Sequence, residues 1–129
     1  MSIDRGGVTA VGDLVAGPAE VVESNAPLSQ VIDTLGNLGI GIVVVMDGGS
    51  VAGVISERDV VWALAQGADA DEIWAGDVMT RDLVTVEAST PIPEAAAAMR
   101  DQHVRHLLVL EGPSPGVVSL RDIIEHLID

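Results

Sequence analysis

The chain has 129 residues, 48% of them hydrophobic, with no cysteine and a formal net charge of −14. That length suits one compact domain with a real apolar core. The acidity, with no lysine at all, sets the chain against nucleic acid and anionic membrane surfaces. The lack of cysteine excludes disulfides, thiol catalysis and thiolate metal sites, and fits a reducing compartment.

Residues 1–10 read as a loose tail without the apolar stretch of a signal peptide. The longest apolar run, Ile40 to Met46, is too short to cross a bilayer, so a cytoplasmic location without membrane insertion is expected. Val21-Val22 then reads as a short strand. Pro27 suits a first helical turn, and Leu28, Val31, Ile32 and Leu35 follow at i, i+3, i+4 and i+7, one apolar stripe on a helix. Ile42 to Met46 is a nearly continuous apolar strand of the kind buried on both faces. Asp47-Gly48-Gly49 turns the chain, Val51 to Ile55 returns it, and a helix runs from Glu57 to Gln66 until Gly67 stops it.

Ala68 to Trp74 reads as a polar connector, after which the pattern starts again. Leu83 to Val86 is a strand. Pro91 opens a helix striped by Ile92, Ala95, Ala96 and Met99, and His106 to Leu110 is the second apolar strand. The last helix, Leu120 to Leu127, lines Leu120, Ile123, Ile124, Leu127 and Ile128 on one side. Only Trp62 and Trp74 are aromatic, so the core must be built from Val, Ile, Leu, Ala and Met.

The second pass is a copy of the first. Gly12-Asp13 returns as Gly76-Asp77, and Val22-Glu23 as Val86-Glu87, each 64 residues on. Gly53-Val54-Ile55-Ser56-Glu57-Arg58-Asp59-Val60 returns as Gly116-Val117-Val118-Ser119-Leu120-Arg121-Asp122-Ile123, now 63 on. The one-residue loss is expected in the hairpin turn, among Gly, Ser and Pro. A duplication fixes the architecture: an α/β (α+β) fold of two pseudo-twofold-related β-α-β-β-α repeats packed through their sheets. The repeats are set at residues 11–68 and 69–129.

Each copy ends in Ser-x-x-Asp at a helix start, Ser56 to Asp59 and Ser119 to Asp122. Such a pair can be a capping box, in which the hydroxyl bonds an orphan N–H and the acid sits at the positive helix end. Three features favour a ligand as well. Gly53 and Gly116 stand three residues before the serines and permit close approach of another group. Arg58 and Arg121 precede the acids beside free helix N–H groups, a good place for a phosphate. Asp59 and Asp122 can each accept two hydrogen bonds, which suits a ribose diol.

The pattern Gly-h-h-Ser-x-x-Asp-h (h, apolar), twice, each copy preceded by a β-α-β unit, resembles a tandem pair of CBS domains, the cystathionine β-synthase domain family. The resemblance covers residues 11 to 128. It implies a regulatory module, not an enzyme, that binds an adenosine-type ligand (AMP, ADP, ATP, NADH or S-adenosylmethionine) in clefts between the repeats and signals to a protein target. No cofactor is required. It implies one site joining Ser56, Arg58 and Asp59 to Thr80, Leu83, Val104 and Arg105, and a second joining Ser119, Arg121 and Asp122 to Val21, Ile40 and Gly41. Arg105 would make the Ser56 site the one for the more highly charged ligand. Many members carry a proline in the second strand where this chain has Val44 and Leu108. Helices with apolar stripes to spare imply a homodimer. Against these readings stands a ligand-free interaction module in which the serines only cap helices.

His103 and His106 lack the converging ligands of a metal site and read as a surface and a strand-edge histidine. Trp62 is expected to pack, and no nucleophile with a base, paired catalytic carboxylates or phosphate loop is visible.

Overall fold

The computed structural model describes residues 10–15, 19–81, 83–111 and 114–128. The tail expected at 1–10 lies outside them except for Ala10. The chain divides into two units, one formed by residues 20–83 and the other by 1–19 with 84–129. Among the described residues each holds a three-stranded sheet, and the fold is mixed α+β with five α-helices.

In the first unit, β1 (Val21–Glu23) pairs parallel with β2 (Ile42–Asp47), which pairs antiparallel with β3 (Ser50–Ser56). The crossover between the parallel strands is α1 (Leu28–Leu38), and α2 (Glu57–Ala65) follows β3. Pro27 is the N-cap of α1, one place before the first turn expected for it, and Gly39 closes the helix at φ 64°. Leu28, Val31 and Leu35 are buried with Val43, Val45, Ile55, Val60 and Ala63, which is the stripe the spacing predicts. Val44 is fully buried as well, so β2 is covered on both faces as its apolar run implies.

The second unit repeats this with β4 (Thr85–Val86), β5 (His106–Glu111) and β6 (Ser114–Ser119), crossed by α4 (Ile92–Gln102) and followed by α5 (Leu120–Ile128). Its core gathers Ile92, Ala95, Met99, Leu107, Val109, Val118 and Ile123. Val84 and Leu83 lie outside β4, which is shorter than expected. On α5 only Ile123 is buried. Leu120, Ile124, Leu127 and Ile128 remain exposed, so the stripe is wider than its unit covers.

The hairpins explain the single-residue difference between the copies. Both turns have two residues, since Asp47 pairs with Ser50 and Glu111 with Ser114. The extra residue of the first copy is instead a β-bulge: Val45 faces Gly53 and Met46 faces Val51, leaving Ala52 unpaired. Gly48 and Gly49 supply the positive φ values, 60° and 85°, that the tight turn requires. Residues 112–113 of the second turn lie outside the described residues.

The compact units are not the sequence repeats. The piece that opens each copy packs with the strands of the other copy's number. Val11, in a single 3-10 turn (Val11–Leu14), is fully buried with Ile92 and Val118, and its N–H donates to the Thr90 carbonyl (2.8 Å). Ala75, in α3 (Ala75–Val78), is fully buried with Leu28 and Val31, and its N–H donates to the Ala26 carbonyl (2.7 Å). The connector before α3 is likewise tied down in the unit of residues 20–83. Leu28 and Ser29 donate their amides to the Ile73 and Ala70 carbonyls, 2.9 Å each.

Candidate functional site

Each sheet ends at a serine because the returning strand runs straight into a helix. Ser56 has extended backbone (φ −98°, ψ 168°) and caps α2. The Ser56 amide donates to Asp59 Oδ2 (2.9 Å), the Ser56 hydroxyl donates to the same oxygen (3.1 Å), and the Asp59 amide donates back to Ser56 Oγ (3.3 Å). At the second turn the Ser119 amide donates to Asp122 Oδ2 (2.8 Å) and the Asp122 amide to Ser119 Oγ (3.1 Å). Both capping boxes are therefore closed. A capping side chain contributes about 1 kcal/mol to its helix.

The glycines before these serines make room for the chain itself. A Cβ on Gly53 would stand 2.6 Å from the Thr80 carbonyl oxygen and 2.9 Å from Met79 Sδ. The segment lies so close because Val54 and Thr80 exchange both backbone hydrogen bonds, at 3.0 and 2.8 Å. At Gly116 the neighbour is the Val15 side chain, 2.7 Å from such a Cβ. The close approach the sequence signals is thus made by the exchanged segment. That segment also delivers Thr80 to the site: its hydroxyl donates toward both oxygens of Asp59 (3.3 and 3.4 Å). By the 64-residue shift the matching residue of the other copy is Ala16, which has no hydroxyl.

The candidates sort by unit as follows. Ser56, Arg58, Asp59, Thr80, Leu83, Val21, Ile40 and Gly41 belong to the unit of residues 20–83; Val104, Arg105, Ser119, Arg121 and Asp122 belong to the other. Within each unit the backbone joins the opening of the middle strand to the turn of its own copy. The Glu57 amide donates to the Gly41 carbonyl (3.1 Å), and the Leu120 amide donates to the Arg105 carbonyl (2.8 Å). The reason is antiparallel pairing: the start of β2 lies beside the end of β3, and the start of β5 beside the end of β6. The Arg105 backbone thus stands at the Ser119 turn of its own unit. Arg58, Arg105 and Arg121 are exposed, and among the described residues none of them forms an ion pair.

Three neighbours of the turns escape the motif. Glu57 places its carboxylate oxygen 3.2 Å from where a Cβ on Gly41 would stand. His106, the first residue of β5, pairs across the strands with Ser119. Burial holds its imidazole below the usual histidine range, with Asp122 pulling upward and Arg105 adding to the depression. Leu120 occupies the position of Glu57. Laying the copies over each other would have found all three, since Ile42 matches His106 and Glu57 matches Leu120.

Val44 and Leu108 also explain the missing strand proline. Their amides donate to the Glu20 and Val84 carbonyls, 2.9 Å each, and a proline has no N–H to give. Trp62 departs from expectation: it is 66% exposed and does not pack in its unit's core. Among the described residues no helix is long and apolar enough to cross a membrane, and no three His, Asp or Glu gather as metal ligands.

A doubled β-α-β-β-α frame, each copy closed by a serine–aspartate box, defines a class of two-repeat α+β modules. The CBS domain family matches residues 11–66 and 75–129, and the chain belongs to it as a tandem pair, a regulatory module. An uncharacterised protein of Methanopyrus kandleri is 35% identical over 91 residues, 67% of this chain and 46% of its own length, so the chain spans about half of that relative. The crystal structure of a CBS-domain-containing protein from Agrobacterium tumefaciens is 31% identical, covers 92% of this chain and 98% of its own, and has a TM-score of 0.81. A CBS domain protein from Pyrobaculum aerophilum, complexed with AMP, is 25% identical, covers 93% and 99%, and has a TM-score of 0.79.

Proposed function

We propose that this chain is a non-catalytic regulatory module that binds an adenosine-containing ligand at its Ser-x-x-Asp turns and signals to a partner protein. The observation that carries the reading is the AMP bound by the similar Pyrobaculum protein, taken with the same fold over 93% of this chain. The chemistry agrees. Each box leaves a carboxylate at a helix start, where it can accept from a ribose diol, with an exposed arginine one residue before it for a phosphate. AMP, ADP, ATP, NADH and S-adenosylmethionine share the adenosine. Signalling draws only on the difference in ligand affinity between two conformations. The lack of cysteine suits the cytoplasm.

One observation favours the rival reading, a ligand-free interaction module: both boxes are satisfied by their own residues. Calorimetry with the five ligands separates the two. The expected result is binding that the double variant Asp59→Asn, Asp122→Asn abolishes, with a melting temperature that falls by the weakening of the carboxylate half of two capping boxes and no more. If none of the five binds to the unaltered chain, only the capping role stands.

The module is further proposed to act as a homodimer. Val61, Trp62 and Leu64 on α2 and Leu120, Ile124, Leu127 and Ile128 on α5 are exposed apolar side chains that a second copy would bury. Sedimentation at the monomer mass refutes this.

A further inference from the structure

The two serine–aspartate turns share their hydrogen bonds and differ in their surroundings. Beside Ser56 stand Gly41, Ile42 and the Glu57 carboxylate, and the Thr80 hydroxyl already occupies Asp59. Beside Ser119 stand Arg105, His106 and Leu120 in the same three places, and no hydroxyl other than that of Ser119 is bonded to Asp122 among the described residues. Exchanging Glu for Leu and Gly for Arg makes the second turn more positive by two charges, before any proton on His106.

A nucleotide phosphate carries between one and two negative charges near neutral pH. At the second turn it meets a guanidinium able to bind it through two N–H groups. At the first it meets Glu57, and the ribose must displace Thr80. We propose that the chain sorts its turns by charge: the Ser119–Asp122 turn takes the phosphate-bearing ligand, and Glu57 with Thr80 shuts the Ser56–Asp59 turn to it. This rests on the adenosine-ligand reading above and assigns the roles within it. Glu57 and Thr80 act as specificity residues of a binding site, through repulsion and through occupation of an acceptor.

Calorimetry with AMP, and with adenosine as the ligand without phosphate, tests it. The unaltered chain is expected to bind one AMP, and Asp122→Asn to lose it. Glu57→Gln combined with Thr80→Val is expected to admit a second AMP per chain. Leu120→Glu gives the second copy the acid of the first. Leu120 is 38% exposed and an acid in a first helical turn is tolerated, so this variant should fold. It should weaken AMP about tenfold, and adenosine by less, the size expected for one added like charge near the phosphate. An Asp122→Asn chain that still binds one AMP with Glu57 in place overturns the sorting, as does Leu120→Glu binding AMP at full strength. An unaltered chain that binds neither AMP nor adenosine removes the underlying reading, and the sorting with it.

Discussion

The unit of residues 20–83 and its counterpart pair strands in the same order, cross them with a helix of the same length and cap the next helix with the same box. Where they part is in the residues that touch this frame from outside it. Backbone packs against Gly53 but a valine side chain against Gly116. Glycine ends α1 but histidine ends α4. Isoleucine faces the first capping serine and histidine the second. The duplication kept the hydrogen bonds that make the fold and left the neighbours free to diverge, so that one frame sets its two serine–aspartate turns in different surroundings.

That contrast can be broken most sharply at the two glycines. Gly53→Ala drives a methyl to 2.6 Å from a backbone oxygen that is locked in a two-bond bridge, so about 2–3 kcal/mol of stability should be lost. Gly116→Ala meets only the tips of Val15, which can shift, and should cost about 1 kcal/mol. Urea midpoints measure both, and equal losses would refute the distinction.

A smaller effect is expected at the helix ends. His103 closes α4 with φ 56°, the left-handed region that Gly39 occupies at the end of α1. Replacing His103 with Gly relieves the Cβ strain and should raise stability by about 0.5–1 kcal/mol; Gly39→His should lower it by a similar amount. Melting curves in which the two changes have the same sign would contradict this.

The smallest effect is in the pH profile. His106 is held neutral by burial, so the unfolded chain takes up the proton first. Stability is therefore at its full value above the unfolded histidine pKa of 6.5 and declines as pH falls from there toward the lowered folded value. His106→Ile, which copies Ile42 of the first unit, should flatten that part of the curve. A slope unchanged by the substitution would assign it to other groups.

Much of this was readable from the sequence. The stripes Leu28/Val31/Leu35 and Ile92/Ala95/Met99 are buried where the helical spacing places them, and both serine–aspartate pairs sit at helix starts. These are local features, and local periodicity records them. The exchange of Val11 and Ala75 between copies leaves no periodic trace, because it depends on pairings between residues far apart in the chain. The place of the one-residue slip between copies is likewise hidden in the sequence. A bulge at Ala52 and a longer turn give the same string of residues, and only the register separates them. Size alone argues for burying Trp62, whereas its position on α2 faces away from Val60 and Ala63. That Arg105 lies beside the Ser119 turn of its own unit depends on the antiparallel pairing that ties its carbonyl to Leu120, which the string of residues does not record.

The exchanged opening segments also impose an order of assembly. Residues 20–83 are contiguous and can complete their unit as soon as they have left the ribosome. The other unit is split across both ends of the chain. Val11 is made well before Thr90, whose carbonyl its amide engages, and before Val118, against which it packs. Its docking must also bear the entropy of closing a loop around a whole intervening domain. The segment around Val11 therefore waits, undocked, for partners made after a whole unit has been completed.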